Sequence, residues 1–144
     1  MLTRMLRICV IDGQGGGIGA LIIKRIKEVY GETVEVVALG TNAIATAQMM
    51  KSRANKGATG ENAIVVTSRS ADVIIGPISI VLADAMMGEV TPAVAQGVAA
   101  SPARKLLLPL TQENVVLVGT SREPLPHQVD EIINVHLKEM MANV

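Results

Sequence analysis

The sequence predicts an α/β fold: a three-layer sheet of about five mostly parallel strands with helices on both faces. Three observations predict it. Short runs rich in β-branched residues alternate with apolar patterns of helical period, as in βαβ units. The first run ends in a glycine-rich loop, residues 13–19, that opens directly onto a helical pattern. Later runs also end at glycine or proline, where a parallel strand turns into its crossover.

The first strand is Ile8-Cys9-Val10-Ile11, ending at Asp12. Gly13-Gln14-Gly15-Gly16-Gly17-Ile18-Gly19 follows, with only two side chains larger than hydrogen. Ile18, Ile22, Ile26 and Val29 then recur at spacings of four and three, one apolar helix stripe, and Gly31 closes it. Residues 34–39 end in a nearly continuous apolar run, as a strand buried on both faces does. Thr41 or Asn42 caps a second helix running from Ala43 to Met50.

Residues 58–62 are expected to turn, and 63–67 to form a short third helix in spite of their β-branched residues. Asp72 to Ile75 predict a strand ending at Gly76-Pro77, with Asp72 on the opposite edge of the sheet. Ile78 to Met87 predict an apolar helix closed by Gly88, with Asp84 interrupting it. Thr91-Pro92 starts another, Thr91 as N-cap and proline in the first turn. Residues 105–109 and 115–118 predict two more strands. The short polar link between them, Thr111 to Asn114, favours a hairpin in which the last strand runs antiparallel. A terminal helix over 125–143 carries Val129, Ile132, Ile133, Leu137, Met140 and Met141 on one side, to pack on the sheet or on a partner subunit. The whole, 1–144, is expected to form a single Rossmann-like domain.

Composition excludes several classes of function. Lys plus Arg and Asp plus Glu balance at 13 each, so no general attraction draws the chain to nucleic acid or anionic lipid. With one Tyr and no Phe or Trp there is no platform on which single-stranded bases stack. No apolar stretch reaches the ~18 residues of a membrane span, and the apolar run before Asp12 is too short for a signal peptide. The expectation is a cytoplasmic protein without nucleic-acid or membrane partners. The lone Cys9 forms no internal disulfide and no cysteine-based zinc site, and is expected to be a small buried hydrophobe. No metal site is expected.

The first loop carries the chemistry. Gly15-x-Gly17-x-x-Ala20 fits the dinucleotide fingerprint, and Gly13-x-x-x-Gly17-Ile18-Gly19 resembles the glycine motif of short-chain dehydrogenases. Both patterns let backbone N–H groups approach an anion at a helix N-terminus. Asp12, at the strand's end, either binds Mg²⁺ or takes a substrate proton, or else caps the loop N–H groups. The acid that would hold a ribose at the end of the second strand is missing, since Leu39, Gly40, Thr41 and Asn42 stand there. Thr41 or Asn42 can hydrogen-bond a sugar instead. The sole tyrosine, Tyr30, is followed four residues on by Val34, so the Tyr-x-x-x-Lys pair of short-chain dehydrogenases is absent. No Walker motif occurs, and His127 and His136 lack the spacing of a zinc motif. Glu61 and Asn62 either cap a helix or face the same crevice as the loop.

Taken together, residues 11–19 (IDGQGGGIG), 38–46 (ALGTNAIAT), 57–65 (GATGENAIV), 71–78 (ADVIIGPI) and 88–92 (GEVTP) resemble a small bacterial family classed as a domain of unknown function. The resemblance spans roughly residues 6 to 119. It implies a short cytoplasmic protein with a Rossmann-like start, and brings no substrate, cofactor or catalytic residue with it.

The reading of the residues is a binding protein for a nucleotide, NAD(P) or another, or for a phosphorylated metabolite. The expected site is Asp12, Gly13, Gln14, Gly15, Gly16, Gly17, Ile18 and Gly19, with Thr41 and Asn42 beside the sugar and Gly76-Pro77 as the far wall. The alternative is a homo-oligomeric structural or regulatory module without ligand, motivated by the apolar Ile78–Met87 stretch and the terminal helix.

Overall fold

A computed structural model describes residues 4–111 and 113–142. Its five strands are β1 (Leu6–Asp12), β2 (Val34–Gly40), β3 (Lys56–Thr59), β4 (Val73–Pro77) and β5 (Arg104–Leu108). They form one sheet in the order β3-β2-β1-β4-β5, and every pair is parallel. Helices α1 (Gly17–Tyr30), α2 (Ala43–Met50), α3 (Glu61–Ser68) and α4 (Pro92–Ala100) connect them, and α5 (Leu125–Glu131) leads into the C-terminal segment.

Alternation along the central strand sorts the two faces. Ile8 and Val10 point to one side, where Ile22, Ile23 and Ile26 of α1, Met49 of α2 and the C-terminal helix cover them. Cys9 and Ile11 point to the other, against Ile64 of α3 and Val94, Ala95 and Val98 of α4. Period-two alternation with both sets apolar is what a doubly covered sheet requires. Cys9 is the small hydrophobe the sequence implied: burial pushes its thiol up to about 12, so it stays protonated at neutral pH.

Several boundaries follow the local signals. Gly31 ends α1 at φ 55, and its N–H donates to the Lys27 carbonyl. Of the two candidate caps for α2, Asn42 does the work, its side chain accepting from the Ala45 N–H at 2.8 Å. Thr91 caps α4, accepting from the Val94 N–H at 3.2 Å, with Pro92 in the first turn. Residues 63–67 are helical, within α3. Asp72 sits on the opposite edge of the sheet from the glycine loop, paired to Arg4 at 2.8 Å and accepting the Arg7 N–H.

Four expectations are corrected. Residues 115–118 form no strand, so there is no hairpin and no antiparallel member among the described residues; the fifth strand is Lys56–Thr59, which runs into the stretch 58–62 expected to turn. It pairs with Val37–Gly40 of β2, and that pairing, not its own propensity, makes it a strand. Ile78 to Met87 is not a helix of the expected length. A 3₁₀ turn over Ile78–Val81 gives way to a turn with positive φ at Asp84 (67°), Met86 (56°), Met87 (57°) and Gly88 (92°). Asp84 is exposed there. The terminal helix starts at Leu125 as expected but is interrupted by a π-helical stretch, Ile132–Leu137, before α6 (Lys138–Ala142); residue 143 lies outside the described residues. Its apolar side belongs to the core: Val129, Ile132, Ile133 and Leu137 are buried against the sheet side that α1 covers. The Tyr30 hydroxyl ties α1 to this segment, donating to the Ile133 carbonyl at 3.0 Å.

Candidate ligand site

β1 delivers Asp12 to the C-terminal edge of the sheet, where its side chain is almost wholly buried, 3% exposed. One carboxylate oxygen accepts the Gly13 N–H and the other the Gly19 N–H, each at 2.8 Å. Of the roles open to it, Asp12 therefore fills the capping one: both oxygens hold the loop's own amides. Burial pushes its carboxyl pKa up, the bonds from Gly19 and Gly13 pull it back, and the charge on Glu89 adds to the rise.

Between those two amides the chain makes a tight turn. The Gly16 N–H donates to the Gly13 carbonyl at 2.9 Å, with Gln14 at φ 49 and Gly16 at φ 74. Gly16 must be glycine twice over, because a Cβ there would also stand 2.7 Å from the Ala45 carbonyl oxygen of α2. Gly15 and Gly17 are exposed, and their N–H groups find no acceptor among the described residues. They sit at the positive end of the 14-residue helix α1, whose cap has no side-chain bond.

A residue that sequence reasoning missed closes the loop from the β2 side. A single carboxylate oxygen of Glu89 accepts the Gln14 N–H at 2.8 Å, the Thr41 hydroxyl at 2.7 Å and the Asn42 amide at 2.8 Å. The Asn42 amide also donates to the Gln14 carbonyl at 3.0 Å. Burial pushes the Glu89 carboxyl up, but the bonds from Gln14, Thr41 and Asn42 outweigh it and hold it below the ordinary glutamate range. Glu89 is brought there by the positive-φ turn before it, which the bonds Asp84 N–H to Val90 carbonyl (2.7 Å) and Gly88 N–H to Asp84 carbonyl (3.0 Å) hold shut. Nothing at Glu89 itself announces this, since its partners lie 47 to 75 positions away. The one signal was its place in the GEVTP stretch.

A depressed pKa in the folded state makes Glu89 a source of acid sensitivity. Its contribution is complete above the unfolded value near 4.5 and is lost as pH falls through the lower folded value. Glu89→Gln keeps the acceptor oxygen and removes the charge. The variant is expected to be less stable than the parent at pH 7, with the gap narrowing in urea titrations below about pH 4. A gap that widens on acidification would contradict the assignment.

On the other side of the loop lies a cavity of about 430 Å³. Asp12 to Ile18 form its floor, and Pro77 at the end of β4 and Ser79 just past it form one wall. Met86, Leu110, Thr111 and Glu113 complete it. Met86 is fixed there by its N–H, which donates to a Glu113 carboxylate oxygen at 2.9 Å. Of the residues predicted for the site, Gly19, Thr41, Asn42 and Gly76 do not line this cavity. Gly19 gives its amide to Asp12, Thr41 and Asn42 are engaged by Glu89, and Gly76 is pressed against the Ile11 carbonyl of β1. Glu61 does not reach it either; its carboxylate accepts the Thr91 hydroxyl at 2.5 Å. Among the described lining residues the charges are all negative, Asp12 and Glu113, so the only positive field is that of the loop amides and the helix end. Among the described residues no group of His, Cys, Asp and Glu is placed to hold a metal ion. No helix among them is long and apolar enough to cross a membrane.

The model of the family described as Domain of unknown function (DUF3842) matches residues 7–141, from the first strand to the terminal helix. The chain belongs to that family. The DUF3842 match takes in the glycine loop, Glu89 and the whole cavity wall. No curated protein matches the chain in sequence. Among solved structures, a universal stress protein in complex with cAMP is similar at 16% identity and a TM-score of 0.42, over 73% of this chain and 98% of that one. A universal stress protein from Archaeoglobus fulgidus is similar at 13% identity and a TM-score of 0.41, with the same coverage. Likeness at this level transfers no residue role to the DUF3842 chain.

Proposed function

We infer that the protein binds a phosphorylated small molecule, a nucleotide or phosphometabolite, in the cavity over the glycine loop, with the phosphate on the N–H groups of Gly15 and Gly17. The observation that carries this is where the cavity lies. In the strand order β3-β2-β1-β4-β5 the direction of winding reverses between β1 and β4, and the cavity is walled by the segments leaving those two strands. Ligands of open α/β sheets collect at this switch point, outside the strands' carboxyl ends. This location is independent of the glycine motif and coincides with it.

The remaining lining suits the rest of such a ligand. Ile18, Met86 and Leu110 offer an apolar surface to a base, and the Ser79 and Thr111 hydroxyls can bond a sugar. With Thr41 and Asn42 engaged by Glu89, the sugar is assigned to the β4 side and not to the end of β2. The test is thermal unfolding against NAD(H), NADP(H), ATP, GTP, nucleoside monophosphates, flavins and sugar phosphates, with and without Mg²⁺. A ligand at ~100 times its Kd stabilises by about 2.7 kcal/mol, on the order of 5 to 10 °C for a domain of this size. A shift confined to phosphate-bearing compounds supports the reading; no shift across the panel rejects it.

One observation favours a second reading, a homo-oligomeric module. Val116 and Val118 are 85% and 94% exposed, alongside the edge strand β5. Of the segments that first suggested it, Ile80, Ala85, Ile132 and Ile133 are core, whereas Met87 is 98% and Val135 46% exposed. Light scattering decides: a dimer split by the paired changes Val116→Glu and Val118→Glu supports it, and a monomer at micromolar concentration removes it.

A further inference from the structure

We propose that Glu89 turns the glycine loop into a half-site, one that takes phosphomonoesters of mononucleotide or sugar-phosphate size and rejects dinucleotides. The inference rests on the ligand reading above and narrows it. In a dinucleotide site, pyrophosphate crosses the N-terminus of the first helix, and one ribose is held by an acid at the end of the second strand. Here an acid stands beside the end of β2, but it comes from the segment before α4 and one of its oxygens is turned to the protein. One Glu89 oxygen is saturated by Gln14, Thr41 and Asn42, the groups at the end of β2 and in the loop that would otherwise meet a ribose.

The blockage is steric as well as electrostatic. Around Gly13 the packing is so close that a Cβ would lie 2.5 Å from the Thr41 hydroxyl, 2.6 Å from the Met86 sulfur and 2.9 Å from the Glu89 carboxylate. At Gly13 the end of β2 and the loop are in close contact. The cavity over the loop opens on the β4 side, and Thr41 and Asn42 do not line it. Asp12, Glu89 and Glu113 surround the loop with negative charge, and no Lys, Arg or His among the described lining residues offsets it. The exposed amides of Gly15 and Gly17, unbonded among the described residues, offer two donors, enough for one phosphate.

The experiment is calorimetric titration of the wild-type protein with AMP, UMP, ribose 5-phosphate, NAD⁺ and NADP⁺. The expected result is that at least one monoester binds and that both dinucleotides bind at least tenfold more weakly. A dinucleotide binding as tightly as the best monoester overturns the half-site while leaving the ligand reading intact. If none of the probes binds, the half-site falls, and the ligand reading is decided by the wider thermal-unfolding panel. Glu89→Gln and Glu89→Ala then locate the cause: the ratio of dinucleotide to monoester affinity is expected to rise severalfold in the first and tenfold or more in the second. Should Glu89→Ala fail to fold, Glu89→Gln alone decides, and an unchanged ratio refutes the role given to Glu89.

Discussion

Gly16→Val should cost the protein most of its stability, while Gly17→Val, one residue on, should leave the fold intact. At Gly16 the backbone has φ 74, and a Cβ would meet the Ala45 carbonyl oxygen at 2.7 Å and Cα at 2.8 Å. The left-handed conformation costs a non-glycine residue roughly 1–2 kcal/mol, more for a β-branched one. Overpacking against α2, where backbone and not a flexible side chain must yield, adds about 1–3 kcal/mol. A loss of ~3–5 kcal/mol corresponds to a fall in Tm on the order of 10 to 15 °C. At Gly17 a Cβ meets nothing within 4 Å and φ is not positive, so the same side chain is tolerated and projects where the ligand is assigned. Circular dichroism melts separate the two: equal losses would mean that the loop packs otherwise than described.

The second large effect is expected at Asp12. Asp12→Ala leaves the Gly13 and Gly19 amides without acceptors in a buried turn. Each unsatisfied group costs about 1–3 kcal/mol, so the variant should lose ~2–5 kcal/mol in urea unfolding. Asp12→Asn should fall between, since one amide oxygen can still accept. The pH dependence has a defined sign. Because burial raises the Asp12 carboxyl above its usual 3.8, the folded state takes up this proton before the unfolded state does. Asp12 therefore adds stability as pH falls through its raised value toward 3.8, a gain that Asn cannot make. The deficit of Asp12→Asn should grow over that interval; a deficit that shrinks would place the carboxylate in a different environment.

What could be read from the sequence was local. The strand, loop and helix of residues 8–26 are encoded by an apolar run, a set of glycines and an i, i+4 stripe, all within one βα unit. The Thr91-Pro92 start of α4 is likewise written in two adjacent residues. What could not be read depended on distant partners. Lys56–Thr59 has little strand character and becomes β3 because β2 offers it an edge. Val115–Val118 has strong strand character and forms none: the chain passes the outer edge of β5 as coil, without a ladder to it among the described residues. Propensity without a partner does not make a strand.

The candidate site divides the same way. Its floor, Asp12 to Ile18, was legible because the glycine loop is continuous in sequence. Its limits were not. The β2-side boundary is set by Glu89, reached through a turn in which Met86 and Met87 adopt positive φ. Two methionines in an apolar run signal helix, whereas the bonds across that turn, among them those of Asp84, Gly88 and Val90 and the Met86 N–H to Glu113, hold the other conformation. The far wall, Leu110, Thr111 and Glu113, lies in a stretch whose composition marked it merely as a polar link.

The most direct test of the central claim is an amide-resolved NMR titration of the ¹⁵N-labelled protein with AMP, and with ribose 5-phosphate in parallel. The account predicts that the Gly15 and Gly17 amides move most, with Ser79 and Thr111 following, and that Gly17→Val abolishes the response in a folded protein. Saturating both probes without perturbing those glycines, or finding the shifts along β5 instead, would contradict it.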